Sequence, residues 1–368
     1  LPFAVRSPGL SGQTSVGPFE DVLAREAIRC VKQRVVLLGC GTVGVGVLKR
    51  LQELPHRFEV VAIAVHDITK KRSKQVPTAL LRDNPEEALA IPHDITIEVM
   101  GGLDLPLALI EKSIRAGRHV ITANKEVIAQ YGVRLEGLAK QEGKQLLYAA
   151  SVGGAVPCIE AAIRLSESGP IEAAVGVLNG TTNFVLDEMA VGSSFEAAVH
   201  AAQKAGFAEA DPTNDLNGAD VARKLSILIR RGFGEYVASE DIRCEGIEEI
   251  GPKEVAKAKS RGEVIRLVAE CRRSATGVDA WISPRYLPQS HPLARVRAER
   301  NAITFYRDGG PLETVNGKGA GRFPTAQAVI GDLWDLLFDL DAEGVANESD
   351  SRVHYLPRAR SKPCAEAV

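Results

Sequence analysis

The segment RVVLLGCGTVG at residues 34–44 joins a strand pattern directly to a glycine-rich turn. Its first five residues are almost wholly apolar, as expected of a strand that is buried on both faces. Gly39, Gly41 and Gly44 follow in the spacing G-x-G-x-x-G, and apolar residues then recur with a helical period. These glycines favour a dinucleotide-binding turn, because they let a pyrophosphate approach the backbone at the start of the helix. A glycine-rich turn that binds no ligand is the alternative.

The residues after the second apolar strand, at 60–65, give opposing cues about the form of the nucleotide. Asp67 could bind the ribose hydroxyls of NAD. Lys70, Lys71 and Arg72 could instead hold the 2′-phosphate of NADP. The basic cluster favours NADP slightly, and use of both nucleotides stays open.

Strand and helix patterns alternate as far as residue 149. Strands are expected at 95–100, 119–122 and 145–149, and helices at 105–116 and 133–142. Short connections between them predict a Rossmann-type, doubly wound parallel sheet, and hence a dinucleotide-binding domain at 33–152. Gly101 and Lys125 follow two strand ends, so both should face the crevice beside the nucleotide. Alternatively, Lys125 is a surface lysine at a helix start.

After Ala150 the pattern changes to that of an α+β domain, expected at 153–317. It holds a helix from Cys158, a strand at 171–178 and β-like runs at 262–269, 280–287 and 301–307. A last helix, from Thr325 to about Leu337, should pack back on the first domain as part of a segment at 318–340. Residues 1–32 are expected to be a leader, disordered or added for expression, and 341–368 a polar tail.

Composition excludes several classes of protein. The net charge is −2, which gives no electrostatic footprint for nucleic acid. No apolar run approaches the length of a membrane span. The six cysteines are scattered without a C-x-x-C pair, which argues against a disulfide scaffold or a zinc site and for a reducing, cytoplasmic compartment.

The stretch AGFAEADPTNDLNGADVARK at 205–224 carries the chemistry. Asp220 and Lys224 are four apart and share one face of a helix that begins near Ala219. A carboxylate beside a lysine can bind an amino acid and move a proton, but a solvated ion pair on a surface helix fits the spacing equally well. Asp211 and Asp215 are interpreted as turn and capping residues.

Eight motifs together resemble homoserine dehydrogenases over residues 33–337. They are GCGTVG at 39–44, EVMGG at 98–102, HVITANK at 119–125, SVGGAVP at 151–157, VLNGTTN at 177–183, the stretch at 205–224, HPLA at 291–294 and GKGAGRFPTA at 317–326. The resemblance implies an NAD(P)-dependent oxidoreductase that interconverts L-homoserine and L-aspartate 4-semialdehyde in threonine and methionine biosynthesis. It also implies a homodimer, with 153–317 as the catalytic (substrate-binding) and dimerisation domain.

The resemblance assigns roles to residues at matching positions. The catalytic group comprises Lys224 as proton donor, Lys125 and Asp220. Substrate contacts fall on Glu209, Gly180, Thr181 and Phe207. Cofactor contacts fall on Gly39, Gly41, Thr42, Val43, Gly44, Gly101, Lys125 and Gly321. A sodium-like cation would be held by the backbone carbonyls of Ala149, Val152, Gly154 and Val156.

Two departures from the family pattern stand out. Ala149 replaces a usual glutamate, which leaves the main-chain ligand but makes occupancy of the cation site less certain. The residues after Leu337 are too few for the regulatory domain that many relatives carry, so feedback inhibition by threonine at a distant site is not expected. Two rival functions are another two-domain dehydrogenase, of the aspartate dehydrogenase type, and a nucleotide-binding sensor without turnover.

Overall fold

A parallel six-stranded sheet forms the first half of the computed structural model, which describes residues 32–348. Its strands are β1 (Gln33–Leu38), β2 (Phe58–Ala64), β3 (Leu81–Arg82), β4 (Ile95–Glu98), β5 (His119–Thr122) and β6 (Leu146–Leu147). They lie in the order β3-β2-β1-β4-β5-β6, so the chain reverses direction across the sheet between β1 and β4. A crevice for a ligand is expected at that switch point, outside the carboxyl ends of the strands.

Four helices cover this sheet: α1 (Thr42–Gln52), α2 (Pro85–Ala90), α3 (Asp104–Arg115) and α4 (Lys125–Gln141). The expected start of α4 near residue 133 was wrong by two turns. Asn124 caps the helix earlier, because its side-chain oxygen accepts a hydrogen bond of 3.2 Å from the amide of Val127. The strand expected at 145–149 is also shorter, and a 3₁₀ turn occupies Ala149–Ser151.

The second half contains a mixed sheet and six helices. The helices are α5 (Cys158–Glu167), α6 (Gly180–Ala190), α7 (Phe195–Ala205), α8 (Thr213–Leu216), α9 (Ala219–Phe233) and α10 (Pro252–Ser260). The strands are β7 (Ala173–Val177), β8 (Arg243–Cys244), β9 (Glu263–Ser274), β10 (Gly277–Pro288), β11 (Arg300–Arg307) and β12 (Gly310–Lys318), in the order β12-β11-β7-β9-β10-β8. The predicted fold class, a Rossmann-type sheet plus an α+β unit, is confirmed.

One face of the second sheet lies against the largest apolar core, which α5 and α9 also enter. The opposite face carries Val175, Glu270 and Trp281 side by side on β7, β9 and β10. All three side chains are only partly buried. The α-helices therefore lie on one face of this sheet, while the short 3₁₀ helix Pro292–Arg295 packs its Leu293 against Val177 and Val268 on part of the other face.

The last helix, α11 (Arg322–Glu348), returns to the first sheet and crosses α1 closely. A Cβ at Gly46 would lie 2.9 Å from the carbonyl oxygen of Arg322, so the crossing requires a glycine there. The helix extends eight residues into the segment expected to be a polar tail. Residues 1–31 of the expected leader, and 349–368, lie outside the described residues. Within the described part of the chain, none of the helices combines the length and apolar character that a membrane span needs.

Candidate active site

The glycine turn after β1 has the geometry that a dinucleotide requires. Gly39 has a φ of +101°, and a Cβ at Gly44 would overlap the Gly39 carbonyl group, whose carbon lies 2.9 Å away. Gly41 is the N-cap of α1 without a side-chain cap, and a Cβ there would meet nothing within 4 Å. The first amides of α1 therefore face open space, which fits an approaching pyrophosphate. Thr42 is exposed at the same helix start.

A crevice of ≈ 940 Å³ runs from the carboxyl ends of β4 and β5 to the second half of the chain. The predicted site residues in its lining are Val43, Gly101, Lys125, Gly154, Gly180, Thr181, Phe207, Glu209, Asp220, Lys224 and Gly321. Residues of both halves therefore share one cavity.

Lys125, Asp220 and Lys224 form one ionic chain in this crevice. The Asp220 carboxylate lies 2.9 Å from the Nζ of Lys125 and 2.7 Å from the Nζ of Lys224. Lys224 also donates a hydrogen bond of 2.7 Å to the carbonyl oxygen of Leu178, and its side chain is 11% exposed. The pair at 220 and 224 is therefore not a solvated surface pair.

Opposing effects act on the charges of this chain. Burial disfavours the ionised form of Asp220, but the ammonium groups of Lys224 and Lys125 outweigh it and hold the pKa of Asp220 below its ordinary range. The charge of Asp220 in turn raises the pKa of Lys125 against the effect of burial. Asp220 is thus a carboxylate and Lys125 an ammonium at neutral pH.

Sequence reasoning missed the position of Asp215, which lines the crevice beside Asp220. Its carboxylate accepts hydrogen bonds from the Nδ2 of Asn179 at 2.7 Å and from the Oγ1 of Thr181 at 2.9 Å. Asn179 also donates to Asp220 at 2.9 Å, so the two carboxylates share one amide group. Burial, and then the charge of Asp220, raise the pKa of Asp215. The interpretation of Asp215 as a turn residue was wrong, whereas Asp211 does accept turn hydrogen bonds from Thr213.

A buried glutamate positions Lys125. Glu98, at the end of β4, accepts hydrogen bonds from the amide of Met100 at 2.6 Å and from the Oγ1 of Thr122 at 2.5 Å. Asn124 donates to the carbonyl oxygen of Gly102 at 2.8 Å and so ties the loop after β5 to the loop after β4. Because these loops are joined, the start of α4 and the side chain of Lys125 are fixed at the crevice.

The substrate side of the crevice is lined from α6 and the loop after α7. The Oγ1 of Thr181 shares its single proton between Asp215 and the carbonyl oxygen of Phe207, which lies 2.7 Å away. The Phe207 ring stacks on Phe184 with centroids 4.6 Å apart. Glu209 is exposed at the rim of the crevice. Its backbone carbonyl oxygen accepts a hydrogen bond of 3.2 Å from the Nε2 of Gln203, which leaves the side chain unengaged among the described residues. Its carboxylate is therefore accessible to a ligand.

The turn at 149–156 packs against the last glycine cluster. A Cβ at Gly154 would lie 2.8 Å from the carbonyl carbon of Gly319. The carbonyl of Ala149 accepts from the amide of Val152 at 3.3 Å, and that of Val156 from the amide of Cys158 at 2.7 Å. Among the described residues, no hydrogen bond reaches the carbonyls of Val152 and Gly154. Two carbonyls are thus free for a cation, and each of the others retains a lone pair.

The residues expected to select the nucleotide lie just after β2. Asp67 uses one carboxylate oxygen to accept hydrogen bonds from the amide and hydroxyl of Thr69, both at 2.7 Å. Arg72 donates to the backbone oxygen of Asp67 at 2.6 Å. One of the two carboxylate oxygens is therefore engaged in its own turn, to which the Arg72 side chain is also bonded.

This arrangement suits hydride transfer to or from a carbonyl carbon. The glycine turn fits a dinucleotide, while Lys224 can donate a proton to an oxygen on which negative charge develops. Asp215 and Glu209 present carboxylates that can bind a substrate ammonium group. The amides at the start of α6 can receive a substrate carboxylate.

Comparisons with known proteins agree with this chemistry. A family model described as homoserine dehydrogenase matches residues 157–334, and one described as homoserine dehydrogenase, NAD binding domain, matches residues 39–149. The homoserine dehydrogenase of Bacillus subtilis is 36% identical over 310 residues, which cover 82% of this chain and 72% of that protein. A crystal structure of a homoserine dehydrogenase from Thiobacillus denitrificans is 36% identical, with a TM-score of 0.76 over 83% of this chain and 73% of that one. A hyperthermophilic archaeal homoserine dehydrogenase in complex with NADPH, 23% identical, shares the fold with a TM-score of 0.72 over 84% of this chain and 98% of that one.

Proposed function

The chain belongs to the homoserine dehydrogenase family, and we propose that Lys224 moves the proton in its reaction. The enzyme interconverts L-homoserine and L-aspartate 4-semialdehyde in threonine and methionine biosynthesis. NAD or NADP, when bound, exchanges the hydride with the C4 carbon of the substrate. The proposal rests on one observation, the ion pairs that join Lys125, Asp220 and Lys224 in a crevice that the cofactor turn also borders.

In the reducing direction, Lys224 stabilises the oxygen that gains charge and donates its proton to it. Asp220 positions that ammonium, and Lys125 holds Asp220 from the cofactor side. In the oxidising direction, Lys224 must accept the hydroxyl proton as a neutral amine. Oxidation of homoserine is therefore expected to accelerate as the pH rises.

The substrate is proposed to lie between α6 and the loop at 206–215. Glu209 and Asp215 bind its ammonium group, and the amides of Gly180 and Thr181 at the start of α6 bind its carboxylate. Phe207 packs against its aliphatic carbons. The buried hydrogen bonds of Asp215 support its place beside Asp220.

Glu209→Ala should chiefly raise the KM for homoserine, by roughly tenfold to a hundredfold, since one charged contact to the ammonium is lost. Turnover at saturation should fall much less, because Glu209 does not touch the reacting atoms. Steady-state kinetics at fixed, saturating nucleotide measures both. Glu235→Ala, at an exposed glutamate outside the crevice, is the matched control. An unchanged KM would remove Glu209 from the substrate site.

NADP is the proposed preferred nucleotide. One carboxylate oxygen of Asp67 is engaged by Thr69, and the basic residues that follow it, Lys70, Lys71 and Arg72, would contact the 2′-phosphate. A cation held by the carbonyls of Ala149, Val152, Gly154 and Val156 is a further proposal. Those carbonyls lie in the turn that packs on Gly319, beside the crevice.

A homodimer in the cytoplasm is also proposed. Residues 33–152 with 318–340 would form the nucleotide-binding domain, and 153–317 the substrate and dimerisation domain. The part of the second sheet that carries Val175 and Trp281, on the face without α-helices, is the surface that a second copy would cover. The four described cysteines, Cys40, Cys158, Cys244 and Cys271, are unpaired, which supports a reducing compartment.

The test is an absorbance assay at about 340 nm with homoserine and each nucleotide, with and without sodium or potassium. The proposal predicts reduction of NADP with a lower KM than that of NAD, and stimulation by the cation. Turnover with aspartate but not homoserine would favour the aspartate dehydrogenase type. Nucleotide binding without turnover would favour a sensor.

A further inference from the structure

Two helices from different halves of the protein carry the three ion-paired residues of the crevice. Lys125 is the first residue of α4, beside the parallel sheet, whereas Asp220 and Lys224 lie near the start of α9. The separation between Lys125 and Asp220 therefore depends on how α9 is placed against α4. Both helices continue away from the crevice and contact each other along their length.

A buried arginine joins the two helices far from the crevice. Arg230, near the end of α9, donates a hydrogen bond of 3.0 Å to the carbonyl oxygen of Ile128 in α4. Its other nitrogen donates to the hydroxyl of Tyr148 at 3.1 Å and lies 3.6 Å from Glu136. The side chain is 9% exposed, and its Nε has no partner among the described residues. Ten helical residues separate Arg230 from Asp220, which is about 15 Å.

Gly132 leaves the space that the guanidinium group of Arg230 occupies. A side chain on a helix leans over the preceding turn, so a side chain at 132 would cover the carbonyl of Ile128. A Cβ at Gly132 would lie 2.7 Å from the guanidinium carbon of Arg230. Because the guanidinium is buried and held on two sides, it cannot move aside without losing those hydrogen bonds.

Tyr148 connects the same cluster to the segment that joins the two halves. Its hydroxyl donates to Glu136, and burial raises its pKa to about 12, so it stays a donor at neutral pH. The backbone oxygen of Tyr148 accepts two hydrogen bonds from Ser151, one from its amide at 2.9 Å and one from the Ser151 hydroxyl at 2.7 Å. Arg231 faces Glu136 at 3.5 Å and the Tyr148 ring at 5.8 Å. The cluster therefore fixes α4, α9 and the connecting turn together.

We propose that Arg230, seated over Gly132, is a positioning residue that sets the placement of α9 on α4 and thereby the spacing of Lys125, Asp220 and Lys224. The inference rests on the proposed roles of those three residues. Arg230 itself touches neither substrate nor cofactor. Its loss lets α9 shift, and a displacement of about 1 Å at the reacting groups can cost up to a hundredfold in rate.

The test compares Gly132→Ala, Arg230→Met and the double variant with Gly137→Ala. Gly137 lies on the same helix, is exposed, and a Cβ there would meet nothing within 4 Å. Gly132→Ala and Arg230→Met should each lower kcat for homoserine oxidation roughly tenfold, with the KM for the nucleotide within about twofold of the parent. Gly137→Ala should keep the parental kcat. In the Arg230→Met background, Gly132→Ala should add almost nothing, because the clash partner is gone.

Kinetics are measured at a temperature where circular dichroism shows every variant folded. Unchanged kcat in Gly132→Ala would overturn the proposal, as would an equal effect of Gly132→Ala with and without Arg230. If Arg230→Met does not fold, Gly132→Ala alone decides. Lys224→Met is assayed in the same series. If Lys224→Met is active, the proposed catalytic role is refuted. If Lys224→Met is inactive but Gly132→Ala has the parental kcat, only the positioning role of Arg230 is refuted.

Discussion

Replacing Lys224 by methionine should lower turnover of homoserine by about a thousandfold or more while nucleotide affinity stays unchanged. The variant removes both the proton donor and the charge that stabilises the alkoxide. It should still fold, because Asp220 retains its ion pair with Lys125 at 2.9 Å. The carbonyl oxygen of Leu178 still accepts a hydrogen bond of 3.1 Å from the Nδ2 of Asn301. Methionine retains most of the side-chain volume.

A steady-state assay measures the turnover of homoserine, and a fluorescence titration measures the affinity for the nucleotide. Lys140→Met, at an exposed lysine of α4, is the control for loss of a lysine as such. A kcat within tenfold of the parent would take Lys224 out of the mechanism. A parallel loss of nucleotide affinity would instead indicate damage to the cofactor site.

Replacing Asp220 by asparagine should impair both activity and stability. The Asp220 side chain is 6% exposed and lies between two ammonium groups, so its loss deprives both of their nearest counter-charge and leaves that of Lys224 buried. Breaking a buried ion pair in this way typically costs about 3–5 kcal/mol of unfolding free energy. We expect a loss near the lower figure, because the side chain of Lys125 is 38% exposed and can turn to solvent. Turnover should fall by about a hundredfold as Lys224 loses its orientation.

The pH dependence of the unfolding free energy provides a second test of the effect of Asp220→Asn. The pKa of Asp220 is lower in the folded chain than in the unfolded chain, so its contribution is present above about pH 4 and is lost as the pH falls below it. Asp220→Asn should lose less stability than the parent over that acid range. Urea unfolding at several pH values measures the difference, with Asp308→Asn, in the exposed hairpin between β11 and β12, as control. Equal unfolding free energies for parent and Asp220→Asn at neutral pH would contradict the account.

Much of the fold was accessible from local patterns. The buried strand before Gly39 and the alternation that follows it predicted the parallel sheet, because both signals lie within short windows of sequence. Errors were confined to element boundaries, as at α4, where Asn124 provides a capping signal that competes with the apolar period. The crevice positions of Gly101 and Lys125 followed from the rule that ligands bind at the carboxyl ends of parallel strands.

Residue spacing alone predicted contacts within the site only where the residues lie close in sequence, whereas the other site residues followed from strand ends or from the family resemblance. Asp220 and Lys224 are four apart, so one helix turn explains their contact. Asp215 meets Asn179 and Thr181 from 36 and 34 positions away, and nothing in its own surroundings distinguishes it from Asp211. Arg230 reaches Ile128 across 102 positions, through a gap that exists because Gly132 lacks a side chain. Such contacts depend on how the two halves dock, which no local pattern specifies.

The central claim, that Lys224 moves the substrate proton, is tested most directly by the pH dependence of turnover in both directions. With nucleotide and substrate saturating, the parent should oxidise homoserine faster as the pH rises and reduce the semialdehyde faster as the pH falls. Lys224→Met should be slow in both directions and should lose most of both dependences. A Lys224→Met enzyme that kept the parental pH dependence in both directions would contradict the account.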